Sequence, residues 1–356
     1  MEAKKALAEL APIIDKIVEE NLQYEFKHSK HVSPFIKEMV QNIIPLAHGG
    51  KRLRGALTYY SYLMFGGTEK DKILKASAFV ELIHIYILIM DDIIDQDDIR
   101  HKKETVHKIY QDYHAKHFKK KDSRHFGESM AICAGIILNH IAENILLHSG
   151  LDSDRIVKAM SEFNLGLAYT GYGEALDVLA EVKDTVTEYE AIQINLLKTA
   201  KYTYENPLYV GAILAGASEK DLKALSEYAI PAGIAYQIQD DILGMFGDAE
   251  KLGKPEDSDL KEGKQNLLTV RTIKMTHGKT KKRFLELLGN PNITKTELEE
   301  ARKIIRECGA LDYCKEKALN YVKSAESCLA TNHIHWKPEG RAFLEGIADY
   351  MIKRDL

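Results

Sequence analysis

Residues 85–100 read IYILIMDDIIDQDDIR. Six apolar or aromatic residues run directly into Asp91 and Asp92, two isoleucines follow, and Asp95 completes a DDxxD pattern. A helix that is apolar on all sides belongs in a protein interior. The stretch therefore predicts a buried helix that delivers acids at its end. On a helix, positions i and i+4 share a face, about 6 Å apart along the axis. Asp91 and Asp95 then point the same way, with Asp92 at the flank. Clustered carboxylates repel one another, and a hard cation such as Mg²⁺ takes oxygen ligands while keeping water for a substrate phosphate. The competing reading is a solvated acidic helix end, which suits Gln96, Asp97 and Asp98 better than Asp91 and Asp92.

Working outward, a second apolar helix in PAGIAYQIQDDILGMFGD ends in Asp240 and Asp241. Its fifth position is Gly244, so the pattern is DDxxG. The two acidic stretches are expected to face each other across one cavity and to hold metal ions for diphosphate chemistry. Two basic features accompany them. Arg100 lies five residues after Asp95, and Gly49-Gly50-Lys51-Arg52-Leu53-Arg54-Gly55 lies upstream. Glycines permit close backbone approach, and arginine forks match phosphate oxygens. After Asp241 comes a loop with Lys251, Gly253-Lys254, Ser258-Asp259 and Gly263-Lys264. Such a loop could close over a phosphate and exclude water. A solvated charged face is the alternative for both basic features.

The rest of the chain bounds the fold. No proline occurs between Pro45 and Pro207, which suits long helices because interior proline costs about 3 kcal/mol. Alternating β-branched runs are scarce. Neither GxGxxG nor GxxxxGK[ST] is present, against a Rossmann or P-loop reading. Predicted helices are 3–24, 33–44, 51–65, 70–96, 102–119, 126–149, 151–181, 187–215 and 219–246. Shorter ones follow at 265–276, 279–288, 294–307, 310–331 and 338–353. Breaks fall at His48-Gly49-Gly50, Gly66-Gly67, Ser149-Gly150 and Gly289-Asn290-Pro291. Thr294 with Glu297 predicts a capping box, and 247–263 a flexible loop. This is one all-α domain over 1–356.

The formal net charge is −4 and no segment is a basic domain, so nucleic acid is not an expected partner. The N-terminus reads as an amphipathic helix, and the apolar run at 85–90 is short of the about 20 residues a bilayer needs. Four cysteines, Cys133, Cys308, Cys314 and Cys328, show no CxxC or zinc spacing, so free thiols in a reducing compartment are expected. A cytoplasmic protein without a transmembrane segment follows.

GGKRLRG, DDIID, Lys198-Thr199 and QIQDD, in this order, resemble the trans-isoprenyl (polyprenyl) diphosphate synthases over roughly residues 30–265. The likeness is to short-chain geranylgeranyl and farnesyl diphosphate synthases of archaeal type. It implies a single large all-α helical bundle of isoprenoid synthase type around a deep central cavity, a homodimer, and three Mg²⁺ ions. Asp91, Asp95 and Asp240 then match metal ligands, with Asp92, Asp241 and Asp259 supporting. Arg100, Lys198 and Lys254 match the grip on an allylic diphosphate of C5 to C15. Lys51, Arg54, His84 and His101 match the isopentenyl diphosphate site. Lys198, Thr199, Gln237 and Lys254 match catalytic positions.

The chain departs from the family pattern at three positions. His101 stands where a second arginine is common. Glu174 replaces the glutamine of GQxxD in Gly173-Glu174-Ala175-Leu176-Asp177, adding a negative charge unless it is protonated or paired. Gly244 replaces the last aspartate of the second motif.

The implied reaction is head-to-tail condensation of isopentenyl diphosphate with an allylic diphosphate, ionised with the help of metal and cationic side chains. An apolar tunnel would set product length. Ile87, one turn before Asp91, is expected to line it, and resemblance makes Tyr86 its floor. That implies a C20 product, with C15 next. A terpene cyclase shares DDxxD, but Asp240-Asp241-Ile242-Leu243-Gly244 lacks the NDxxSxxxE-like motif. A non-catalytic subunit of a heteromeric synthase predicts lost ligands, whereas nearly all are present.

Overall fold

The computed structural model describes residues 3–47, 49–100, 102–247, 258–331 and 335–352. The described chain is helical nearly throughout, as the scarcity of proline and of alternating runs predicts. The order is α1 (Ala3–Ser29), α2 (Pro34–Ile43), a 3-10 turn (Ile44–Ala47), α3 (Leu53–Met64) and α4 (Lys70–Ile94). A hairpin of β1 (Ile99–Arg100) and β2 (Lys103–Glu104) comes next. Then come α5 (Val106–His117), α6 (Ser123–Leu147), α7 (Ser153–Glu181), α8 (Glu188–Ile194), a π-helical segment (Asn195–Glu205), α9 (Asn206–Ala215) and α10 (Glu219–Phe246). Later helices are Ser258–Glu262, Leu267–Met275, Gly278–Leu287, Lys295–Glu307, Ala310–Thr331 and Pro338–Ile352.

Short polar residues set the helix starts. Ser33 accepts from the N–H groups of Phe35 and Ile36, just ahead of Pro34. Thr187 with Glu190, Ser218 with Asp221, and Thr294 with Glu297 each form a reciprocal capping box. The last is the one predicted above. Gly66 and Gly150 take φ of +84° and +82° at the predicted breaks, a region open to glycine at little cost.

The chain divides into two compact units, and no linker in the sequence announces the division. The first comprises Met1–Met160, Val210–Ala217 and Lys337–Phe343; the second comprises Ser161–Tyr209, Ser218–Trp336 and Leu344–Leu356. The first is built on α4, whose Ala76, Phe79, Val80, Leu82 and Ile83 are buried and which packs on α1, α3 and α6. In the second, Ile234, Ile238 and Ile242 of α10 share a core with Leu267, Leu268, Phe284 and Leu298.

Helices α4 and α6 are long and apolar enough to cross a bilayer by length and composition. For α4, 67% of the apolar window is buried inside the protein, the mark of a core helix rather than a span. For α6 the share is 39%, and Ile132 and Ile136 lie exposed.

Two further features differ from the sequence expectation. The predicted loop 247–263 contains the short helix Ser258–Glu262, while 248–257 lie outside the described residues. The predicted helix 187–215 is broken by the π segment. An α and a π turn differ by one residue per hydrogen-bonded ring, so local propensity does not separate them. Tertiary packing does. A Cβ on Gly173 of α7 would lie 2.4 Å from the backbone nitrogen of Lys198, and one on Gly233 of α10 would lie 2.4 Å from Cα of Ala200. The segment is thus pinned between two helices that approach it through glycine. Gly233→Ala is expected to lower stability by about 1–3 kcal/mol through overpacking, read as a lower midpoint in urea. An unchanged midpoint would show that the approach is not tight.

Candidate active site

The sequence-derived site residues are divided between the two units, apart from His101 and Lys254, which lie outside the described residues.

In the first unit, the C-terminal part of α4 carries the first group. His84, Ile87, Leu88, Asp91 and Asp95 share one face by the helical period and are half-buried, as are Tyr86, Met90 and Ile93 off that face, while Asp92 is buried. Asp95 caps α4, and its N–H donates to the carbonyl of Asp91 at 2.8 Å. The hairpin then folds Arg100 back onto the acids. Its Nη2 lies 3.0 Å from Asp91 Oδ2 and 3.7 Å from Asp97 Oδ2, and its Nε donates to Asp92 Oδ1. Burial pushes the Asp92 carboxyl up to about 6; Arg100 opposes this, and Asp91 and Asp97 add to it. Burial also works against the charge of Arg100, yet Asp92 and Asp91 hold its pKa above the ordinary value.

Tyr86 leaves that face and packs towards α6. A Cβ on Gly135 would lie 3.0 Å from the Tyr86 ring and 2.6 Å from the Met90 methyl. Upstream, Lys51 is exposed and Arg54 is half-buried. Gly49 and Gly50 both take φ of +91°.

In the second unit, the π segment and α10 build a polar chain. Thr199 Oγ1 donates to Gln237 Oε1 at 2.6 Å, and Gln237 Nε2 donates to Asp241 Oδ1 at 2.8 Å. Asp241 Oδ2 is buried with no hydrogen-bond partner among the described residues. Burial pushes the Asp241 carboxyl well above the ordinary range; Gln237 works against this, and Asp259, Asp240 and Asp177 reinforce it. Lys198 Nζ lies 2.8 Å from Glu174 Oε2 and 2.9 Å from Asp177 Oδ2. The extra charge of Glu174 is therefore paired, which answers that departure. Lys264, in the loop but given no role above, brings its ammonium to 4.0 Å from Asp177. The glycine-lysine pair at 263–264 was its sequence signal.

The Gly244 departure also has a structural counterpart. A Cβ at position 244 would meet Asp259 Oδ2 at 2.7 Å. An aspartate at 244 would press on a carboxylate already there, so Asp259 brings a carboxylate against that face of α10.

Do these residues suit a metal? Among the described residues, no three His, Cys, Asp or Glu side chains form a protein-only cage. Mg²⁺ does not need one, since it commonly takes one or two carboxylates plus substrate oxygens. The donors are all carboxylates, and the orphaned Asp241 oxygen among Asp177, Asp240 and Asp259 is a place where added positive charge relieves repulsion. The donor set fits.

A sequence profile described as polyprenyl synthetase matches residues 33–305. The chain belongs to the polyprenyl synthetase family. The geranylgeranyl diphosphate synthase of Sulfolobus acidocaldarius is 33% identical over 91% of this chain and 95% of its own. The geranylfarnesyl diphosphate synthase of Aeropyrum pernix is 31% identical over 86% and 91%. The geranylgeranyl pyrophosphate synthase structure from Corynebacterium glutamicum, complexed with isoprenyl diphosphate and magnesium, superposes with a TM-score of 0.88 at 27% identity, covering 96% and 99% of the two chains. This polyprenyl synthetase is thus a prenyltransferase with the all-α isoprenoid synthase fold.

The raised carboxyls give a pH prediction. Folded Asp92 holds its proton up to about pH 6, whereas an unfolded aspartate loses it near pH 4. Metal-free stability from this group therefore falls as pH rises across that window. A divalent cation binds the ionised form and displaces the proton. Mg²⁺ is expected to raise Tm more at pH 7.5 than at pH 5 in a thermal scan. Equal shifts at both would contradict carboxylate binding.

Proposed function

We propose that the protein condenses isopentenyl diphosphate head-to-tail with allylic diphosphates to give geranylgeranyl diphosphate (C20), with farnesyl diphosphate (C15) as the shorter product. The observation that carries this is the end of α4, where Asp91 and Asp95 share a face and Arg100 holds the flanking Asp92. The Sulfolobus relative carries the same C20 activity in its name. The Aeropyrum name shows that this family also reaches longer products, so length rests on side chains near the acids.

Bound Mg²⁺, three ions by family resemblance, would neutralise charge developing on the departing diphosphate. Asp91, Asp95 and Asp240 are the proposed ligands; Asp92, Asp241 and Asp259 support them. Arg100, Lys198 and Lys254 grip the allylic diphosphate. Lys51, Arg54, His84 and His101 hold isopentenyl diphosphate. The allylic C–O bond breaks, with its electron pair leaving on diphosphate. The isopentenyl double bond attacks the allylic cation, and a proton is lost to the released diphosphate. Lys198 and Lys254 place positive charge at the leaving group, while Thr199 and Gln237 orient polar groups near the reacting carbons. Ile87 lines the tunnel, and Tyr86, backed by Gly135, closes it.

The chain is proposed to act as one cytoplasmic synthase domain and as a homodimer. Its four cysteines are free, which suits a reducing compartment. On α7, Leu165, Tyr172, Leu176 and Leu179 are 52%, 60%, 41% and 50% exposed. Their helical spacing makes an apolar stripe of the kind a second copy would cover.

The test is incubation with Mg²⁺, isopentenyl diphosphate and separate C5, C10 and C15 allylic diphosphates, followed by chromatography of the products. Each primer is expected to yield mainly C20. No elongation from any primer would overturn the proposal. Tyr86→Ala is expected to lengthen the product, and an unchanged product spectrum would remove Tyr86 as the floor. Asp91→Ala and Asp240→Ala are each expected to lower turnover about 100-fold or more with unchanged helical circular dichroism.

A further inference from the structure

The run Lys51-Arg52-Leu53-Arg54 looks like a uniform cationic patch in sequence. The fold separates its charges. Lys51 is exposed and Arg54 half-buried, whereas Arg52 is only 6% exposed. Arg52 sits at the N-cap of α3 with φ of +49° and ψ of +42°. This is a left-handed conformation that L-residues with a Cβ seldom adopt.

The guanidinium reaches three separate parts of the chain. Its Nε donates to Asp15 Oδ1 of α1 at 2.5 Å. Its Nη1 donates to Glu81 Oε2 of α4 at 3.4 Å, and its Nη2 donates to the carbonyl of Ala47 in the 3-10 turn. Glu81 is itself 2% exposed, and its other oxygen accepts the N–H of Gly55 at 2.7 Å. An arginine at an N-cap has no side-chain acceptor to offer. The carboxylate of Glu81 takes that part from the neighbouring helix, where the partial positive charge of a helix start favours it. Gly55 makes room, since a Cβ there would meet Ile14 Cδ1 at 2.8 Å and Glu81 Cγ at 3.2 Å. Glu81 lies three residues before His84 and ten before Asp91 on the same helix.

We propose that Arg52 is a positioning residue: through Asp15, Ala47 and Glu81 it sets Lys51, just before the N-cap, and Arg54, in the first turn of α3, against α4, and so fixes the isopentenyl diphosphate site relative to Asp91. This rests on the reading of Lys51, Arg54 and His84 as that site. Arg52 does not touch substrate. Its fork is engaged in three directions, and a lysine, with one compact charge, does not reproduce them. The effect therefore falls on isopentenyl diphosphate more than on the allylic partner.

The test uses full-length Arg52→Lys, Glu81→Gln and Lys51→Ala. Steady-state kinetics gives KM for each substrate, calorimetric titration gives Kd for isopentenyl diphosphate, and a thermal scan gives Tm. Arg52→Lys is expected to raise isopentenyl KM and Kd about tenfold, leaving allylic KM within about twofold. Glu81→Gln keeps an acceptor for Gly55 but loses the charge, so a smaller rise in the same direction is expected. It also supplies the reading where Arg52→Lys does not fold. Lys51→Ala weakening isopentenyl binding, while the other two variants lower only Tm, would make Arg52 a structural anchor alone and overturn the proposal. Lys51→Ala leaving isopentenyl Kd unchanged would overturn the underlying site and the proposal with it.

Discussion

Burial makes the charge of a carboxylate costly, and this constraint shapes the acids at the ends of α4 and α10. The apolar helices α4 and α10 each carry acids at the end of a buried run. Burial pushes Asp92 up to about 6 and Asp241 well above the ordinary range. The fold answers each locally. The hairpin returns Arg100 to Asp91 and Asp92, and Gln237 donates to Asp241. One oxygen of Asp241 keeps no hydrogen-bond partner among the described residues. Added positive charge would relieve the repulsion among Asp241, Asp240, Asp259 and Asp177, which supports the proposed metal and diphosphate site.

Glycine supplies the complementary constraint, because it decides how closely backbones pass. Gly173 and Gly233 admit the π segment that carries Lys198 and Thr199. Gly244 leaves space that Asp259 uses. Position 244 looks like a lost ligand when read as one residue in a motif. Beside Asp259 it is a matched pair, with a carboxylate brought to that face of α10 from another helix.

Much of this was legible in the sequence. The i, i+4 spacing placed Asp91 and Asp95 on one face, the apolar run placed α4 in the core, and Thr294 with Glu297 marked a helix start. Those features are local, set by a few neighbouring residues. What escaped was set by distant partners. The π segment depends on glycines in two other helices. The fate of Glu174 depends on Lys198, and that of Arg52 on Asp15 and Glu81, with nothing in the cationic run to mark it as buried. The division into two compact units had no linker to betray it, because the chain crosses between them within α7, within α9 and within the helix Pro338–Ile352, and also at the short connections after Ala217 and Trp336.

The most direct test of the central claim is a crystal grown with Mn²⁺ and an unreactive allylic diphosphate analogue, measured for anomalous scattering. Mn²⁺ takes the same oxygen ligands as Mg²⁺. The account predicts anomalous peaks beside Asp91 and Asp95 and beside Asp240, with the analogue's phosphates adjoining them. A diphosphate bound with no metal at these carboxylates would contradict it.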